Sequence, residues 1–178
     1  MSTLRNLILA EHSKKQVEKI VRYIGNNQIR FDELLNFTMG KEERLAQCAS
    51  WSLEYCVEAH PKLATKHLKK IIQHLAKPGH HAVRRNLAKL LTFVDIPEKL
   101  ESLLIENCFR ILNSSEELIA NRAYAAYAIE RLCKKYPELY QELIASLDAQ
   151  SDYDSPGMRS VMRTVKLNRD KMQKRISF

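Results

Sequence analysis

One pattern returns along this chain every 38 residues, and no other feature of the sequence restricts its fold as much. Three copies can be read directly, at 45–53, 83–91 and 121–129. Ala49, Leu87 and Ala125 share one register, as do Ser50, Ala88 and Ala126, and again Leu53, Leu91 and Ile129. Small residues at recurring places let neighbouring helices approach closely. A fourth, degenerate copy begins near Met158 and Arg159. A unit of this length that cannot bury its own apolar face must stack on its neighbours.

Each copy reads as a pair of helices. Only 4 Gly and 5 Pro occur among 178 residues, and the chain is rich in Leu, Ala, Glu and Lys, which favours helix and argues against a sandwich or barrel. Pro61, Pro97 and Pro137 follow His60, Ile96 and Tyr136, where a first-turn proline ends one helix and opens the next. The pattern predicts first helices near 41–60, 80–94 and 116–136, and second helices near 62–77, 98–113 and 138–147. Before them, helices over about 13–25 and 31–39, stopped by Gly25 and Gly40, make an N-terminal cap pair within 1–40. The repeats fill 41–147. After a linker at 148–157, the longest and the expected mobile one, a basic helix caps the chain within 156–178. One domain over 1–178 is expected.

The stretch Val83-Arg84-x-x-Leu87-Ala88-x-Leu90-Leu91 resembles the first-helix pattern of HEAT-like repeats. The chain is thereby similar to the HEAT-like, armadillo-type family over roughly 41–167, departing from it at Ala46, where the other copies carry Arg84 and Arg122. The resemblance implies an all-α fold, a right-handed α-solenoid of antiparallel helix pairs. It does not imply one activity, because such repeats serve unrelated purposes.

Function must therefore be sought in the charge. The chain carries 29 Lys and Arg against 21 Asp and Glu, a net +8, and the excess is concentrated in two zones. The first, 59–94, has no acidic residue and holds five histidines. On its predicted helix, Lys62, Lys66, Lys69, Gln73 and Lys77 form one stripe, opposite Ala64, Leu68, Ile71 and Leu75. Arg85 and Arg84 follow on the next helix. Arg84 has a repeated counterpart in Arg122, which points to a structural role and leaves Arg85 as the functional candidate. The second zone is the C-terminal helix, where 159–178 holds seven Lys and Arg against Asp170 alone. There Arg159, Arg163 and Lys166 flank an apolar face of Met158, Val161, Met162, Val165, Met172 and Ile176. Such a row suits an acidic surface or a phosphate backbone, and a cap helix accounts for the second zone equally simply.

Catalytic patterns are weaker. No phosphate loop, dinucleotide fingerprint, nucleophile elbow or paired-histidine zinc motif occurs, and no metal or cofactor is implied. Asp148, Asp152 and Asp154 lack the spacing of a calcium loop. Trp51, the only tryptophan, is read as packing, like Tyr127 two periods on. Glu54 and Glu58 beside it are expected at the surface, with no reason for a raised pKa. Cys48, Cys56, Cys108 and Cys133 read as small core residues in a reducing compartment. No apolar run reaches membrane-spanning length and the N-terminus does not read as a signal peptide, so a cytoplasmic protein is expected. The leading expectation is a non-enzymatic scaffold for a protein partner with an acidic surface. The alternative is a nucleic-acid-binding HEAT-like protein, distantly like alkylpurine DNA glycosylases. Oligomeric state is left open.

Overall fold

A computed structural model describes residues 3–77, 79–149 and 155–176. Among the described residues there are ten α-helices, one 3-10 segment and no strand. The chain divides into two units, Met1–Ile96 and Pro97–Phe178.

The first unit runs α1 (Thr3–Ala10), α2 (Lys14–Ile24), α3 (Gln28–Thr38), α4 (Glu43–Ala59), the 3-10 segment Pro61–His67, α5 (Leu68–Leu75) and α6 (His81–Leu90). Ser13 starts α2 by accepting the Gln16 N–H at 3.2 Å, and Asn27 starts α3 by accepting the Arg30 N–H at 3.1 Å. Gly25 ends α2 at φ +50°, a conformation that L side chains rarely adopt. Helix α4 is the hub, packed on α1, α2, α3 and α6. Leu53, Cys56 and Val57 on its core face are fully buried.

The second unit contains α7 (Glu98–Leu112), α8 (Ile119–Cys133), α9 (Leu139–Asp148) and α10 (Pro156–Ile176). Here α8 is the hub, against α7, α9 and α10. Buried Glu130 accepts the Tyr140 hydroxyl at 3.2 Å and the Asn168 amide at 3.0 Å, joining α8, α9 and α10. Glu101, also buried, accepts the Tyr136 hydroxyl at 2.8 Å and the Lys135 ammonium at 3.1 Å.

All nine residues of the repeating register are at most 1% exposed, so the 38-residue period marks the interior of the helix pairs. Several boundaries differ from the sequence expectation. Helix α1 was not anticipated; Leu4 and Ile8 bury it, and an Arg5–Glu42 ion pair at 3.0 Å ties it to the start of α4. The N-terminal cap therefore has three helices. The expected helix over 62–77 begins as a 3-10 segment, and the one over 80–94 stops at Leu90. Glu54 is not a surface residue. It is 2% exposed, and Glu130 at the same place two periods later is 7% exposed, because these helices bury a second face as well as the core face. Asp152 and Asp154, with the middle of the expected linker at 150–154, lie outside the described residues.

Candidate functional site

The first basic zone begins where the chain leaves α4. The 3-10 geometry of Pro61–His67 turns each residue by about 120°, so Lys62 and Lys66 point about 120° apart instead of lining up as they would on an α-helix. The single lysine stripe is thus broken. Lys66 is drawn to α3, where its ammonium meets Asp32 at 2.7 Å, and the His67 ring bonds the other Asp32 oxygen at 2.7 Å. Partial burial works against the Asp32 charge, but the hydrogen bonds from Lys66, Gln28 and His67 win and hold its pKa at about 2. Lys66 is a clamp residue rather than a free cation.

Lys62, Lys69 and Lys77 are exposed and have no ion-pair partner among the described residues. Arg85 is exposed on α6, its Nε donating to Asn86 Oδ1 at 3.2 Å. The Asn86 amide in turn donates to Ser50 Oγ at 2.9 Å, linking α6 to α4 through a buried bond.

Lys77 also lines a cleft of about 330 Å³, together with Lys41, Glu43, His74, His80 and Arg84. The cleft lies where two successive repeats begin: Lys41 and Gly79 are one 38-residue period apart. Arg84 is held there by its Nη2 donating to the Lys77 carbonyl at 2.7 Å. His74 is half-buried, and burial followed by the charges of Lys77, Lys70 and Arg84 lowers its pKa below the usual 6.5. Of this group only Lys77 stood among the binding candidates expected from the sequence, Arg84 being read as structural. The acid-free run was the available signal, but Lys41 comes from a distant stretch that only stacking brings near.

Trp51 is half-buried against the His12 ring, with centroids 5.0 Å apart. Its neighbour Glu54 is sealed in contact with the Lys89 ammonium, which also lies over the Tyr55 ring at 5.6 Å. Burial raises the Glu54 pKa above 4.5 despite the opposing pull of Lys89 and Arg85, so the surface reading of this carboxylate is corrected in its chemistry as well as its place. Glu54 and Trp51 do not form an open aromatic and acidic groove.

In the second unit, Arg159 and Arg163 are exposed on α10, whereas Lys166 reaches Asp148 at 3.4 Å. The opposite face of α10, with Met158, Val161, Met162 and Val165, is buried on α8 and α9. The five candidates of the first unit are therefore two clamp or bonded residues, Lys66 and Arg85, and three unpaired lysines. All four cysteines are free and buried, and burial pushes Cys56, Cys108 and Cys133 up to about 12. Among the described residues no three His, Cys, Asp or Glu side chains converge as a metal would need, and no helix is long and apolar enough to cross a membrane.

Helix pairs in a buried 38-residue register define an all-helical repeat protein of the α-solenoid class. The family model described as HEAT repeat domain matches residues 4–168, and the chain belongs to that family. The match starts at α1 and so takes in the cap helices as well as the repeats. No curated protein and no solved structure matches the chain.

Proposed function

We propose that this HEAT-repeat protein is a non-enzymatic scaffold that docks a protein partner with an acidic surface through the basic end of its first unit. Helical repeats of this kind present extended surfaces to other macromolecules. One observation carries the choice of partner. Between residues 59 and 94 there is no carboxylate, and Lys62, Lys69 and Lys77 face solvent without an ion-pair partner among the described residues. Exposed cations left uncompensated steer an oppositely charged surface and make its binding sensitive to salt. Arg85, exposed on α6, adds a planar donor group. In the second unit, Arg159 and Arg163 offer a smaller supplement.

The same cations suit a nucleic-acid backbone, which keeps that second reading open to test. It is the less favoured because the one tryptophan packs on His12 and Glu54 is tied to Lys89, leaving neither for a flipped base. The test is affinity isolation from native cells with cross-linking, comparing the wild-type chain with Lys62→Glu/Lys69→Glu/Arg85→Glu. The reading expects a partner cross-linked to these helices and lost from the variant at unchanged fold. An identical partner set for both proteins would sink it.

A further inference from the structure

The cleft between the starts of two successive repeats has a chemistry that docking an acidic surface does not require. Lys41, His74, Lys77, His80 and Arg84 arrive from three separate stretches of chain and surround one cavity of about 330 Å³. Glu43 is the one carboxylate among the lining residues. With Lys41, Lys77 and Arg84 against Glu43, the lining carries a net charge of +2, which matches the charge of about −1.5 to −2 on a phosphomonoester. The cavity is at the small end of the ligand-pocket range. Apart from the two imidazoles its lining has no aromatic face on which a base would stack.

The donors are positioned rather than merely present. Arg84 Nη2 is anchored on the Lys77 carbonyl at 2.7 Å, which fixes both the guanidinium and the backbone at Lys77. His80 caps α6 with its Nδ1 accepting the Ala82 N–H at 3.1 Å, which turns its Nε2 into the remaining donor. Helix α6 has no acidic residue in its first turn, so the positive end of its dipole adds to the side-chain charge. His74, in the last turn of α5, has its pKa lowered first by burial and then by the charges of Lys77, Lys70 and Arg84.

We propose that this cleft binds a terminal phosphate group, a phosphomonoester dianion, gripped by Lys41, Lys77 and Arg84. A phosphodiester, with a single negative charge, balances only half of the cavity's excess. The proposal stands apart from the docking reading: a small anion needs no partner surface, and a partner lost in the charge-reversed variant says nothing of the cleft.

The test is an NMR titration of the full chain with inorganic phosphate, a phosphoserine peptide and dimethyl phosphate, at constant ionic strength. Phosphate and the phosphopeptide are expected to give saturable shifts at Gly40, Lys41, Gly79 and His80, and to move the His74 titration upward. Dimethyl phosphate is expected to bind far more weakly. Lys41→Gln and Lys77→Gln should each weaken phosphate binding, Lys62→Gln outside the cleft should not, and Glu43→Gln should tighten it about threefold by removing one like charge. Lys41, Glu43 and Lys77 are exposed, so these variants keep the fold. Tighter binding of the phosphopeptide assigns a protein-borne phosphate, and equal or tighter binding of inorganic phosphate assigns a free one; both support the site. Shifts that chloride reproduces, diester binding as tight as monoester, or no gain from Glu43→Gln would each overturn it.

Discussion

Replacing Lys89 by Met isolates the buried charge at the heart of the first unit. The Glu54 side chain is 3% exposed and the Lys89 side chain that neutralises it is 27% exposed. Removing one partner of a buried pair costs about 3–5 kcal/mol, because the other charge stays desolvated. Water at Lys89 and the charge of Arg85 place this case at the lower end, about 3 kcal/mol at pH 7. Met keeps an unbranched apolar side chain but removes the ammonium, with its ion pair to Glu54 and its place over the Tyr55 and Phe93 rings, so the loss is electrostatic. The pH dependence follows from the sign of the shift. Burial raises the Glu54 pKa in the folded chain, so the folded state binds more protons than the unfolded one, and stability falls as pH rises above about 4.5. Without Lys89 the pKa climbs further. Near pH 4 the carboxyl is protonated in both states and the penalty shrinks to about 1 kcal/mol for an imperfect hydrogen bond. Urea unfolding followed by Trp51 fluorescence reads this unit, since Trp51 is the only tryptophan and lies on the same helix as Glu54. A slope of about 2 kcal/mol per molar urea makes the expected loss a midpoint drop of about 1.5 M at pH 7. Adding Glu54→Gln to Lys89→Met should restore most of it. A drop below about 0.3 M, equal at pH 7 and pH 4, would refute the buried-charge reasoning.

Three further perturbations test other parts of the account. Asp32→Asn releases Lys66 and His67; the Asp32 side chain is 34% exposed, so screening limits the loss to about 1 kcal/mol at pH 7. Its depressed pKa means that this stability is present above the ordinary 3.8 and disappears as pH falls toward 2, so wild type and variant should converge in acid unfolding. Ala126→Leu forces a larger side chain into a register position that is 0% exposed and should cost about 1–3 kcal/mol by calorimetry, while Ala120→Leu on the exposed start of α8 should cost almost nothing. Gly25→Ala meets no steric obstacle closer than 3.8 Å but must adopt φ +50°, so backbone strain alone is expected to cost about 1–3 kcal/mol, read as a lower urea midpoint.

The stacking was legible because period and burial are the same fact seen twice. Ala49, Leu87 and Ala125 recur because close helix contacts demand small or compact residues at one place per unit, and all three are fully buried. Helix α1 was not legible: Leu4 and Ile8 are too few to set a periodicity, and their burial depends on α2 and α4 already being in place. The lysine row was read with an α-helical period, yet the chain takes the tighter 3-10 path after Pro61, which separates Lys62 from Lys66. Glu54 was misplaced for a related reason. A helix wheel identifies one apolar face, whereas this one is also covered on the face carrying Glu54, where Lys89 from α6 makes burial of a carboxylate tolerable. The cleft was visible only as an absence of acid, since stacking places Lys41 beside residues more than 30 positions away.

Fluorescence anisotropy of a labelled acidic polypeptide and of a labelled duplex DNA of equal charge, titrated with the wild-type chain at several salt concentrations, bears most directly on the claim that the exposed cations of the acid-free stretch 59–94 form a protein-docking surface. The account predicts saturable binding of the polypeptide, abolished by Lys62→Glu/Lys69→Glu/Arg85→Glu, with DNA bound more weakly. Tighter binding of DNA with a steep salt dependence, lost in the same variant, would contradict it and make this surface a nucleic-acid interface.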